Sequence, residues 1–119
     1  MAIKIFIEQI SRSNIEIVAL ICMNKRGEIL NYYNIAIGDS ERVKISLAQL
    51  FKISLLSNAE KIIVAHNHPS GILNITYLDI RLTKNIVIIC NLFDIELIDS
   101  IIVNKYGEYI SIRQSIKEK

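Results

Sequence analysis

The chain has 119 residues, 51% of them hydrophobic and 22% charged, with a formal net charge of +2. That is the length of one globular domain, 1–119, too short for two cores and too apolar for a disordered segment. A single Pro and 4 Gly exclude collagen-like and low-complexity classes, and the 14 Lys and Arg are scattered without a basic stripe, so charge lends nucleic-acid binding no support.

Isoleucine fills 27 positions, a β-branched excess that argues for a buried sheet. Residues 2–8 alternate, with Ile3, Ile5 and Ile7 on one face and Lys4, Phe6 and Glu8 on the other, which predicts a half-buried strand. Residues 11–14 form a turn. Residues 15–23 are apolar on both faces, as in a central strand. A turn at 24–27 and a second strand at 28–37 complete a hairpin, interrupted at 38–40. Val43, Leu47, Leu50, Phe51, Ser54 and Leu55 recur at helical spacing and predict an amphipathic helix over 43–57, ended by 58–60.

Residues 61–65 make a short strand that runs into His66-Asn67-His68-Pro69-Ser70-Gly71, the last three of these forming a turn. A second helix is predicted from Thr76 to near Phe93. Residues 95–103 and 108–112 form a closing hairpin around 104–107, and 95–103 is also a candidate edge for pairing between subunits. The order β-β-β-α-β-α-β-β predicts an α/β fold, a single domain with a mixed, mostly antiparallel sheet and helices packed on it. No internal repeat or linker stands out.

Cys22 and Cys90 lie far apart in apolar runs, which suits core residues of a reducing compartment and excludes a zinc ribbon. Lys4 and Glu8 break the N-terminal apolar stretch, so no signal peptide is expected, and no apolar run approaches the roughly 20 residues of a membrane helix. The expectation is a cytoplasmic protein without a membrane partner.

The two histidines of the chain are two residues apart. In extended backbone such residues share a face, so His66 and His68 present paired imidazoles at a strand end. Ligand sites in α/β sheets collect at strand ends. Two imidazoles are half of a tetrahedral zinc shell, and a catalytic site adds a third protein ligand and an open position. Asp79, in the first turn of the following helix, is the best third candidate. A His-x-His pair at a strand end is also a common surface feature. Thr76-x-x-Asp79 reads equally as a capping box, with Thr76 at N-cap. Metal-assisted hydrolysis needs a base as well. Glu16, a carboxylate opening the most apolar strand, is the candidate; the alternative is a strand-end charge facing solvent. Glu8 is a weaker candidate, and Glu60 suits a helix cap.

Together these residues resemble the JAB/MPN metalloprotease family. Its JAMM motif is an upstream Glu, then H-x-H, seven residues, then S-x-x-D. Here Glu16 precedes His66-Asn67-His68, residues 69–75 supply the seven, and Thr76-Tyr77-Leu78-Asp79 follows. The nearer resemblance is to the RadC-like branch, through the unbroken His-Asn-His-Pro-Ser-Gly at 66–71, Glu16 leading an apolar strand, and Leu97-Ile98-Asp99 followed by Gly107-Glu108-Tyr109. The similarity runs from about residue 15 to about residue 114.

The resemblance implies a layered fold related to that of the cytidine deaminases, without their Pro-Cys-x-x-Cys ligand pair. It implies zinc held by His66, His68 and Asp79, with Glu16 as general base. Thr76 stands at the family's Ser, as a donor to the oxyanion. The implied reaction is hydrolysis of peptide or isopeptide bonds in protein or peptide substrates, often ubiquitin-like ones. The wider family also contains scaffold modules that lost the motif. RadC naming suggests a role as a nucleic-acid repair accessory, but the N-terminal helical domain of full-length members has no counterpart among these residues. Three departures stand out: Thr76 replaces Ser, residues 72–75 (Ile-Leu-Asn-Ile) are mostly apolar where the branch is usually polar and Pro-containing, and Ser100 stands where it often has His.

Overall fold

The structure is a computed structural model that describes residues 2–38 and 46–117. Its elements are α1 (Ala2–Ile10), β1 (Glu16–Met23), β2 (Ile29–Gly38), α2 (Leu47–Leu56), β3 (Lys61–His68), α3 (Tyr77–Leu92), β4 (Glu96–Asn104), β5 (Tyr109–Ser111) and α4 (Ile112–Lys117). They form a mixed α/β domain around one five-stranded sheet of order β2-β1-β3-β4-β5. β1 pairs antiparallel with both β2 and β3, β3 and β4 are parallel, and β4 and β5 are antiparallel.

The N-terminal segment is a helix, where alternation had predicted a strand. Ile3, Phe6, Ile7 and Ile10 also recur at helical spacing, and that face docks on the sheet. Phe6 is 0% exposed and Ile10 1%. Burying the phenyl ring, which strand alternation would leave on the polar face, decides between the two periods. The short α4 was not anticipated. β4 is an interior strand between β3 and β5, so the expectation of a free edge at 95–103 does not hold; β2 and β5 are the edges. The expected break at 38–40 and the start of the helix expected over 43–57 lie largely outside the described residues.

The sheet is covered on both sides. Even-numbered positions of β1 and β3, Val18, Leu20, Cys22, Ile62 and Val64, pack with Leu50 and Phe51 of α2 and Ile86 and Cys90 of α3. Odd-numbered positions, Ala19, Ile21, Met23, Ile63 and Ala65, pack with Phe6 and Ile10 of α1. Burial on both faces explains why β1 reads as a continuous apolar run. Both cysteines are free and buried in the first cluster. Thr83 on α3 donates to Ser100 on β4 at 3.1 Å, tying helix to sheet through a buried bond. Among the described residues no helix is long and apolar enough to cross a membrane.

One turn occurs twice. In Asn24-Lys25-Arg26-Gly27-Glu28 the Asn Oδ1 accepts from the backbone N–H of Arg26 and of Glu28, and its Nδ2 donates to the Glu carboxylate. Asn104-Lys105-Tyr106-Gly107-Glu108 repeats each bond. The glycines have φ of +82° and +76°, a region costly for residues with a Cβ, which is why both turns carry Gly there. The second copy has an added contact: Asn104 Nδ2 also donates to Gly71 O at 2.9 Å.

Candidate metal centre

β3 extends through His68, so the imidazoles of His66 and His68 project from one face of a regular strand. Their face is the one that carries α3. Their Nε2 atoms lie 3.2 Å apart. His68 Nδ1 lies 3.0 Å from the carbonyl oxygen of Ile72. A carbonyl can only accept, so Nδ1 carries the proton and Nε2 keeps its lone pair for a ligand. This is the outer partner that orients most metal-binding histidines.

The carbonyl is held in place from below. Gly71 N–H donates to His68 O, closing the turn, and Gly71 O accepts from Asn104. Gly71 takes a φ of +88°, and a Cβ there would lie 2.9 Å from Cε2 of the exposed Tyr106 ring, which would have to swing aside. Asn104 is fully buried. The second copy of the recurrent turn therefore supports the loop that orients His68.

Asp79 enters from α3. Its Oδ1 lies 3.2 Å from His66 Nε2. Its Oδ2 accepts from Thr76 N–H at 2.9 Å, while Asp79 N–H donates to Thr76 Oγ1 at 3.2 Å. The sequence left metal ligand and capping box as competing uses of one carboxylate. The geometry shows the capping box complete through Oδ2 and turns Oδ1 toward His66.

Glu16 opens β1, the strand antiparallel to β3. Its carboxylate and the ring nitrogens of His66 and His68 all lie within 4.8 Å of one another. Burial pushes the Glu16 carboxyl above its ordinary value, and Asp79 adds to this, while the two histidines pull it back. Burial also works against a charged Asp79, but the hydrogen bonds from His66 and Thr76 outweigh it and hold that carboxyl below its ordinary value. Glu16, His66 and His68 are thus brought together in one cluster, whereas Asp79, expected as the third ligand, touches only His66 of these three and stands at the cluster's margin, with Thr76 beside it at the helix start. Glu8 lies on α1 and is exposed; Glu60 is at the opposite end of β3, where it accepts from Lys25 N–H.

Glu16, His66 and His68 form a candidate site for a divalent metal ion. Ligand atoms about 2.0–2.1 Å from a tetrahedral ion stand about 3.3 Å from one another. The 3.2 Å between the two Nε2 atoms matches such an edge, and the Glu16 carboxylate lies within 4.8 Å of both; Asp79 Oδ1 stands 3.2 Å from His66 alone. His66, 5% exposed, sits in surroundings that exclude most water.

Two residues at the site carry no signal of ligation. Asn67 is fully buried between the histidines, and Asn104 lies below the His68 loop. A polar amide inside an otherwise apolar strand was the available clue, because a buried amide must find partners.

This sheet, with its candidate metal ligands gathered near the end of β3, is consistent with the JAB/MPN class of α/β domains. A family model described as a RadC-like JAB domain matches residues 1–117, and the chain belongs to that family. A UPF0758 protein of Acidithiobacillus ferrooxidans is 32% identical over 99 residues, which cover 83% of this chain and 44% of that protein. A UPF0758 protein of a Psychrobacter species is 31% identical over 97 residues, covering 82% and 43%. One from Chloroflexus aggregans is 29% identical over 106 residues, covering 89% and 46%. The chain thus spans less than half the length of these relatives.

Proposed function

We propose that this domain is a zinc-dependent hydrolase of amide bonds, a JAMM-type peptidase or isopeptidase acting in the cytoplasm on a protein or peptide substrate. The observation that supports this reading is the clustering of Glu16, His66 and His68 from two strands, with Asp79 of α3 in contact with His66. A set of imidazoles and carboxylates without thiolate suits zinc at a catalytic site. Zinc, when bound, supplies a Lewis acid and lowers the pKa of water to about 7.

The chain's own groups then divide the work. His66 and His68 would hold the ion, the latter ring being oriented by Ile72 O. Asp79 offers Oδ1 while Oδ2 keeps the helix capped. Glu16 takes a proton at its carboxylate and returns it to the departing amine, a task that a raised pKa favours. Thr76 Oγ1 accepts from Asp79 N–H and retains its own proton for the developing oxyanion. Ubiquitin-like proteins are the substrate class suggested by the resemblance. The modest net charge of +2 does not favour a nucleic acid.

The test is metal content together with cleavage of a panel of peptide and isopeptide substrates. The expected result is a single zinc ion per chain and cleavage that Glu16→Gln abolishes. Protein that takes up no zinc after reconstitution would overturn the proposal. Zinc held equally by wild type and Glu16→Gln, with neither cleaving anything, would favour a scaffold.

A further inference from the structure

The ladder between β1 and β3 stops short of the site. Its last pair is Val18 with His66. Beyond that point β1 continues to Glu16 paired only with β2, and β3 continues to His68 paired only with β4. The sheet is split between its second and third strands, and the candidate metal ligands flank the split.

Asn67 bridges the opening. Its side chain is 0% exposed. Oδ1 accepts from Ile17 N–H at 2.7 Å, and Nδ2 donates to Ile15 O at 3.0 Å and Ser13 O at 3.3 Å. Two of these partners immediately flank Glu16. A side-chain amide thus replaces the missing rungs of backbone pairing, and it does so at a wider spacing than a direct ladder would allow. The histidines point to one face of β3 and Asn67 to the other, so the bridge does not occupy the ligand space.

We propose that Asn67 is a positioning residue: it holds β1 open from β3 and fixes the Glu16 carboxylate at its distance from the two imidazoles. The inference rests on Glu16 being the working carboxylate of the proposed hydrolase, but the geometry it asserts can be measured without metal or substrate. Direct backbone pairing past Val18 would carry Glu16 against His68 and close the opening. Loss of the bridge would instead leave the first residues of β1 held by β2 alone.

The experiment uses the full metal-free chain at fixed pH. The first measurement is the change in the ring-nitrogen resonances of His66 and His68 caused by Glu16→Gln, taken in wild type and in Asn67→Ala. The change should be clear in wild type and fall to less than about half in Asn67→Ala, the mark of two residues that act as a unit. The second is amide exchange. Ile17 should exchange about tenfold faster or more in Asn67→Ala, with Leu20 and Ile21 unchanged. Should Asn67→Ala fail to fold, Asn67→Asp keeps the acceptor for Ile17 and loses both donors, so the same nitrogen measurement applies.

An equal change in both backgrounds, no change in wild type, or a uniform rise in exchange along β1 overturns the proposal. Titration of wild type with zinc alone separates the two readings. Protein that binds no zinc yet shows the expected nitrogen and exchange results removes the hydrolase and leaves the positioning role standing. Zinc bound normally beside an equal nitrogen change does the reverse.

Discussion

His66 Nε2 stands 3.2 Å from Asp79 Oδ1, and the other oxygen of that carboxylate closes the capping box of α3. The contact with His66 and the helix start are therefore fixed by one side chain. Asp79→Asn separates them. The amide oxygen can still accept from Thr76 N–H, so unfolding should cost less than about 1 kcal/mol. Metal affinity should fall by more than the roughly 10–100-fold that an outer partner is worth. Zinc or cobalt titration set against thermal unfolding of the metal-free protein checks both halves.

Replacing Glu16 should show in turnover and leave metal content intact. Glu16→Gln removes the proton acceptor while keeping size and polarity, and the expected loss in kcat is about 10²–10⁴-fold. Measurement of bound zinc in the same preparation decides whether the residue acts as base or as ligand. A variant that loses its metal would reassign Glu16 to the coordination shell.

Glu16 also makes stability depend on pH in a defined direction. Its folded-state pKa lies above the ordinary 4.5 because burial penalises the charge. The folded protein then keeps a proton that the unfolded chain has already released. Stability falls as pH rises through about 4.5 and continues to fall until the folded value is passed. Metal-free Glu16→Gln should therefore be more stable than wild type at pH 7, with the gap narrowing at pH 4. Asp79 has the opposite sign: its lowered pKa contributes stability at neutral pH that is lost as pH falls below its ordinary 3.8 and through the folded value. Thermal unfolding of the metal-free proteins across this range checks the two slopes.

Gly71→Ala should destabilise the loop that supports His68. Its φ of +88° alone costs about 1–2 kcal/mol for a residue with a Cβ. The contact with Tyr106 at 2.9 Å adds to that. Tyr106→Ala made in the same chain should relieve that close approach and leave the backbone cost. Denaturant unfolding of the single and double variants separates the two.

Phe6→Ala tests the docking of α1. The ring is fully buried against the sheet, and its removal should cost about 3–5 kcal/mol. A strand with Phe6 on its polar face would give a far smaller loss, so the same denaturant measurement distinguishes the two arrangements.

What the sequence conveyed depended on the range of the interactions. The β1–β2 hairpin, the His66 and His68 pair on one strand face, and α3 with Thr76 as its cap were legible because each is a local pattern. The gathering of Glu16 with the later motif was legible only through the resemblance, since nothing local connects residues that far apart. α1 was misread because Ile3, Ile5 and Ile7 satisfy a period of two, while Ile3, Phe6, Ile7 and Ile10 satisfy a helix; only the sheet beneath chooses between them. β4 was mistaken for an edge because strand order is decided by contacts that no single strand encodes. The bridge made by Asn67 to Ser13, Ile15 and Ile17 was invisible for the same reason.

The twin turns give the molecule a built-in control. Asn24 and Asn104 perform the same bonds in hairpins at different places in the sheet, but only Asn104 also grips Gly71, one residue from the carbonyl that sets the tautomer of His68. Equivalent damage to the two asparagines would weaken two hairpins alike, yet only one of the injuries would reach an imidazole. A turn used once as plain architecture also steadies, in its second appearance, the loop that orients an imidazole.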